Sequence, residues 1–223
     1  MGRKHIAPNI DPDLIIQEAM YGFVMALTFV MAVQFGILNY DNRWSLVSAI
    51  VCMDFVWGMI DFLVYYRLDI LGLSRRINKM VKIHQGKEDE QHSREEIEDE
   101  FEDTIIELVD AETRDKIVDL IMESHPVENP PEVAKKNRHR FLKNGIAAAL
   151  TTMACTIPAA ICILCIPDYS EALLATSIIS SLALFFIGYK MGPFDSKFLN
   201  ILNGFVIMLM SLTLTVFAAF CGG

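Results

Sequence analysis

The sequence predicts an all-α, polytopic membrane protein: five transmembrane helices with a helical cytoplasmic insert between the second and the third. Three observations predict it. Of the 223 residues, 53% are hydrophobic, above the roughly 45–50% of soluble domains. The apolar residues gather in two blocks, near 19–66 and 141–221, around a charged middle. Short polar turns divide the blocks into runs of about 20 residues, which at 1.5 Å per residue cross a hydrocarbon core of roughly 30 Å.

The first helix is predicted over 12–38. Asp11 is its N-cap, Pro12 lies in the first turn, and Asp13 sits near the positive end of the dipole. Its lipid-crossing part is 19–38, with Glu18 at the entrance. Residues 39–43 make a polar turn. The second span, 45–66, is the unusual one, because it carries two carboxylates, Asp54 and Asp61. A charge at the centre of such a helix costs about 2.5–3.5 kcal/mol on insertion scales. Seven residues apart, the two acids lie about 20° from one another on one face. Gly58 lies between them and Tyr65 continues the line, so this stripe is predicted to face protein or water, away from lipid. Glu18, Gly22 and Met25 repeat the same spacing on the first helix.

Residues 67–140 form a hydrophilic insert, between an N-terminal region 1–66 and a C-terminal region 141–223. Arg67, Arg75, Arg76, Lys79 and Lys82 lead out of the membrane. Ten acids then fall within the sixteen residues 88–103. Ile97, Phe101, Ile105, Leu108 and Val109 recur at helical spacing, and a second helix is predicted over 111–123, ended by Pro126, Pro130 and Pro131. The periodic apolar positions predict a small helical domain. Lys135, Lys136, Arg138, Arg140 and Lys143 lead back to the third span, 141–166, where Pro158 predicts a kink. Residues 171–191 and 198–220 are the fourth and fifth spans.

Orientation follows from basic charge. Of the 19 lysines and arginines only Arg43 falls in the turns on one side. The other side, which holds the N-terminus and the insert, is therefore predicted to be cytoplasmic, with the C-terminus outside. The N-terminus lacks the pattern of a cleaved signal, so the first span is expected to direct insertion. MGRKHI lacks the Ser or Thr of a myristoylation signal. Integral, multi-pass placement, in all expectation in the cell membrane, follows.

The net charge of −9 argues against nucleic acid as a partner. The five cysteines lie in or beside apolar segments and predict no disulfide framework. Cys162 and Cys165 have the spacing of a metal or redox pair but lack further ligands and a soluble setting, so they are expected to be structural thiols. No phosphate loop, metalloprotease helix or Ser/His/Asp arrangement is found. Neither an enzyme nor a permanently bound cofactor is expected.

The acids point to ions. Glu18 at the entrance, Asp61 about 7–8 Å into the membrane and Asp54 about 18 Å in make a ladder for a cation or a proton. The alternative is that Asp61 reaches back to the interface and Asp54 bonds a neighbouring helix. Met25, Met53 and Met59 lie on the same two helices, although methionine there is most often packing. A thioether-and-carboxylate path suits ferrous iron or manganese better than calcium or sodium. In the insert, Glu95, Glu98, Asp99 and Glu102 fall near one helical face, with His92 one turn earlier and Met122, Glu123 and His125 on the next helix. These groups could share a divalent ion. A solvated acidic face is the usual reading of such a run.

Three stretches, Glu18-Ala-Met-Tyr-Gly-Phe-Val-Met-Ala-Leu-Thr-Phe, Val56-Trp-Gly-Met-Ile-Asp-Phe and Leu184-Phe-Phe-Ile-Gly-Tyr, resemble the vacuolar iron transporter family, in particular its short prokaryotic branch. The resemblance implies five spans with a cytoplasmic insert and a homodimer with an ion path between the first two helices of each subunit. It also implies export of ferrous iron and similar ions by proton exchange, with insert glutamates gathering metal. The sequence departs from the plant and yeast members. Phe23, Val24 and Met25 follow Tyr21-Gly22 where those members carry an Asn-Asp pair, and Asp61 is displaced relative to their second-span Gly-Glu. The expected function is thus a proton-coupled divalent-metal transporter. Glu18, Met25, Asp54 and Asp61 would lie on its path, and Glu95, Glu98, Glu102, Met122 and Glu123 would assist in metal capture. The alternative is a non-transporting scaffold or sensor whose acidic insert binds metal or a partner.

Overall fold

A computed structural model describes residues 12–85, 89–102, 104–124 and 130–221. Asp11, Glu88, Asp103, His125 and Pro126 lie outside them. Among the described residues the chain is helical: α1 Pro12–Gln34, α2 Arg43–His84, α3 Glu90–Asp99, a 3₁₀ turn Ile105–Leu108, α4 Ala111–Glu123, α5 Pro130–Ala154, α6 Thr156–Cys165, α7 Tyr169–Met191 and α8 Lys197–Cys221. Five helical stretches are long and apolar enough to cross a membrane, the third being Asn137–Cys165, which joins the end of α5 to α6. The protein is a multi-pass membrane protein. Its chain divides into two compact units, one of residues 1–66 with 140–223 and the other of 67–139.

In the first unit α7 packs against α1, α6 and α8. Small residues permit the close approaches. Gly188 faces Ile207 and Gly204 faces Phe185, where an added Cβ would lie 2.6 and 2.8 Å from the nearest atoms. Without a hydrophobic driving force between helices in lipid, such close backbone packing carries association.

Several helix ends differ from the sequence expectation. α1 stops at Gln34, not near 38. Gly36 adopts a left-handed φ of 70°, and the amides of Gly36 and Ile37 bond the carbonyls of Val33 and Ala32 at 3.0 and 2.9 Å. This Schellman pattern satisfies the terminal carbonyls that a longer helix would have used. α2, by contrast, does not end at the membrane-edge arginine, Arg67. It continues to His84, because residues 67–84 contain no proline, and Lys82 and His84 favour the negative end of its dipole.

The third span breaks at Cys155, between α5 and α6, one turn before the expected kink at Pro158. Proline has no amide to give the carbonyl of Ala154, and its ring clashes with that carbonyl, so the break appears at the preceding turn. The Cys155 amide is shared between the carbonyls of Thr151 and Thr152, each at 3.2 Å.

At the far end of the bundle, Arg43 explains its isolation from the other basic residues. Its guanidinium bonds the carbonyl of Ile163 at 3.2 Å and those of Ile166 and Pro167, at the C-terminus of α6. It also lies 5.5 Å from the ring centre of Tyr169. A cation at a helix C-terminus compensates the unpaired carbonyls and the dipole.

The second unit has its own small core. Ile83, Ile97, Phe101 and Val118 are buried, with Ile106, Ile117, Ile121 and Met122 packed on them. Asp110 caps α4, accepting the Thr113 amide at 2.9 Å. That bond holds the Asp110 carboxyl below its usual range. Arg94 bonds Asp119 at 2.5 Å across α3 and α4. The acidic helix is shorter than its periodicity predicts. It ends at Asp99, and Thr104 then caps a 3₁₀ turn by accepting the Ile106 amide at 3.3 Å. Ile105 and Leu108, expected on the apolar face, are consequently 81% and 85% exposed. α4 ends at Glu123 with Ser124 as its C-cap, and Pro130 and Pro131 open α5 rather than closing α4. The first helical turn tolerates proline because its amide would be unpaired there anyway.

Candidate ion path

Two buried acids lie within the membrane-spanning unit. Glu18 of α1 and Asp54 of α2 are both fully buried, at 0% exposure. Their burial follows from their faces. Gly22, one turn beyond Glu18, sits against the third span, where an added Cβ would lie 2.7 Å from Cys155 Cβ and 2.8 Å from the Thr152 carbonyl oxygen. Gly58, one turn beyond Asp54, sits against Ala149, with the corresponding distance 3.1 Å. Gly145 in turn receives the Phe62 ring. Glycines on α1 and α2 thus dock both acid-bearing faces on one side of the third span.

The stripe predicted for α2 is sorted by burial as its spacing requires. Asp54 and Gly58 are buried, and Asp61 and Tyr65 half-buried. Phe55, Val56, Met59, Ile60, Leu63 and Val64 between them are exposed, as apolar residues facing lipid would be.

Glu18 accepts a hydrogen bond from Thr152 Oγ1 at 2.6 Å. Its other oxygen, Oε1, is buried without a partner, and so are both carboxylate oxygens of Asp54. Asp61 and Tyr65 both lie within side-chain interaction range of Glu18. Cys155 lies within electrostatic range of Asp54 and Glu18. Asp61, Glu18 and Tyr65 thus form one group, with Thr152 bonded to Glu18, and Asp54 is buried separately, two turns before Asp61 on the same face of α2. A buried carboxylate with no counter-charge is strongly unfavourable. Such acids can be neutralised by protons or by a cation.

Tyr21, Val24, Met25, Trp57 and Asp61 line a hollow of about 420 Å³, open on one side. Tyr21 is held by Gln17, whose Nε2 donates to its hydroxyl at 2.9 Å. Met25 and Asp61, on different helices, thus share one cavity. Beyond Asp54, toward the Arg43 end, the bundle is closed by an apolar cluster of Ala26, Val30, Leu46, Val47, Ile50, Ala159, Ile163 and Leu173. The hollow and the apolar cluster lie on opposite sides of Asp54 along α2.

The residues expected to gather metal in the second unit are not brought together. Among the described residues no three His, Cys, Asp or Glu side chains converge as a metal site. Glu95 accepts from Gln91 at 3.2 Å, and His92 pairs with Glu96 at 3.9 Å. Glu102 lies beyond the end of α3 and so leaves the face of Glu95 and Glu98. Glu98, Glu102 and Glu123 are exposed, and Met122 packs on the small core. The helix end at Asp99 explains the difference, since i, i+7 alignment needs an unbroken helix.

Thr152 and Cys155 are the neighbours that sequence reasoning missed. The one available signal was their alignment with Ala148 at helical spacing on the side of the third span that bears Gly145. Comparison with known proteins gives no match at a significant level among family models, curated proteins or solved structures.

Proposed function

We propose that the protein is a proton-coupled transporter of divalent metal ions, with Fe²⁺ and Mn²⁺ favoured, exporting them from the cytoplasm as a homodimer. The observation that carries the reading is the set of unpartnered carboxylate oxygens of Asp54 and Glu18, fully buried on the same two helices whose Met25 and Asp61 line a hollow. Ionisable groups inside a membrane are costly, and in transport proteins they mark ion and proton pathways.

In this reading a hydrated cation arrives at the hollow from the cytoplasmic side, the side with the basic flanking residues. Asp61 and Met25 meet it first. Glu18 takes it from Asp61, and Asp54 holds it at mid-membrane. The apolar cluster beyond Asp54 is the barrier on the far side and must part for release. Protons then neutralise the emptied carboxylates, which makes their return in a dry interior favourable. The Met25 thioether beside a carboxylate favours ions softer than calcium. The resemblance of the first two spans to the vacuolar iron transporter family supports the same reading and the homodimer. The acidic run of the second unit serves as a solvated, cation-attracting surface.

The test is uptake of Fe²⁺, Mn²⁺, Zn²⁺ and Ca²⁺ into proteoliposomes that enclose a divalent-sensitive dye and a pH dye. Metal movement coupled to opposite proton movement, abolished by Asp61→Asn, is the expected result. Folded, reconstituted protein that moves no ion under an imposed pH gradient would instead favour a scaffold or sensor. Proton flux independent of metal would point to a different solute.

A further inference from the structure

The hollow between α1 and α2 has mostly apolar walls. Two aromatic residues, Tyr21 and Trp57, line it together with Val24, Met25 and Asp61, and its volume is about 420 Å³. Small-molecule sites commonly enclose about 300–1,000 Å³, with apolar walls and few polar groups. Tyr21 and Trp57 are 41% and 45% exposed, so neither ring is sealed in the core. The Tyr21 hydroxyl accepts a hydrogen bond from Gln17 Nε2 at 2.9 Å, which holds that ring at the wall. Asp61 is half-buried, and among the described lining residues it alone carries charge.

The Trp57 ring and Val24 offer no donor to a hydrated divalent metal, so the ion path leaves these walls unexplained. A substituted ammonium or phosphonium ion is a closer match. Its charge is spread over carbon and weakly hydrated, and the ring quadrupoles of Trp and Tyr attract it, most strongly at desolvated sites. Its apolar substituents leave water against Val24 and Met25, and the flexible Met25 side chain adapts to their shape. Asp61 supplies the opposite charge. It lies about 7–8 Å inside the membrane edge by helical rise, deeper than a lipid headgroup sits, which favours a separate small molecule over a headgroup amine.

We propose that this hollow is a binding site for an organic cation, a quaternary ammonium or phosphonium ion or a protonated amine with apolar substituents, held by Tyr21 and Trp57 with its charge against Asp61. The site goes beyond the transport reading and does not depend on it.

The probe is tetraphenylphosphonium, and its control is tetraphenylborate, an anion of the same shape and size. The chain carries two tryptophans, so Trp44→Phe leaves Trp57 as the sole one. In a maltoside detergent, tetraphenylphosphonium is expected to change the Trp57 fluorescence saturably, at one equivalent per chain. Tetraphenylborate is expected to bind at least about tenfold more weakly, since the site discriminates by charge. In equilibrium dialysis, Asp61→Asn is expected to weaken tetraphenylphosphonium binding by about tenfold or more, and Trp57→Leu by about fivefold or more, with Trp57→Phe closer to wild type. The melting temperature of each variant confirms that it is folded. Equal binding of the two probes would identify plain apolar partitioning and overturn the proposal, and that comparison needs no variant. Affinity unchanged in either folded Asp61→Asn or folded Trp57→Leu would overturn it too. Binding seen in detergent but abolished in phosphatidylcholine nanodiscs would assign the hollow to a lipid headgroup, again contradicting the proposal. Absence of metal flux removes the transport reading alone, and the probe pair still decides the site.

Discussion

Asp54 has no hydrogen-bond partner for either oxygen, and that fact separates two roles for a buried acid. An acid that locks helices together is bonded, and its removal is expensive. An unpartnered one contributes little to packing, so Asp54→Asn is expected to leave the melting temperature in detergent within about 4 °C of wild type, equivalent to under roughly 1 kcal/mol. A larger drop, measured by thermal unfolding, would mean that Asp54 holds the bundle. Glu18 is the contrasting case. Thr152→Val removes the 2.6 Å bond to its carboxylate, and hydrogen bonds to charged groups are worth about 1.5–3 kcal/mol. Thermal unfolding of Thr152→Val should show that loss, while an unchanged melting point would show the bond to be dispensable. Outside the membrane, Asp110 is the cap whose carboxyl is held below its usual range by the Thr113 amide. A depressed folded value means that its stabilisation of α4 is present at neutral pH and fades as pH falls below about 4 through the folded value. Amide exchange at the start of α4 should rise in acid in the wild type, and Asp110→Ala should remove that pH dependence.

At the scale of elements, the glycines set how closely α1 and α2 approach the third span. An added methyl at Gly22 meets Cys155 and backbone at 2.7–2.8 Å, whereas one at Gly58 meets Ala149 at 3.1 Å. Gly22→Ala is therefore expected to destabilise the protein by about 1–3 kcal/mol and Gly58→Ala by less. The reverse order, in unfolding measurements of both variants, would contradict this packing. The same elements show what could be read from the sequence. The five spans were legible because run length and hydropathy report lipid crossing directly. The buried stripe of Asp54 and Gly58 was legible because the spacing of polar residues on a helix fixes a face. The end of α1 was signalled by Gly36 but missed, since hydropathy continues past it. The end of α3 was missed because a 3₁₀ turn capped by Thr104 is a local contest that apolar periodicity does not reveal. Thr152 and Cys155 were not legible as site residues, because their role depends on which face of the third span meets Glu18, and that is fixed only by packing between distant segments.

For the molecule's larger architecture, the membrane-spanning unit is asymmetric along α2: a hollow lined by Met25 and Asp61 lies on one side of the buried Asp54, and the apolar cluster around Val30, Ile50 and Ile163 on the other. The claim that this asymmetry serves transport is tested most directly by Asp54→Asn, with flux and assembly measured on the same preparation. The account predicts that Mn²⁺ uptake into proteoliposomes falls to the protein-free background, while the oligomeric state and melting temperature remain those of wild type. Undiminished uptake, or lost uptake accompanied by collapse of the assembly, would contradict it.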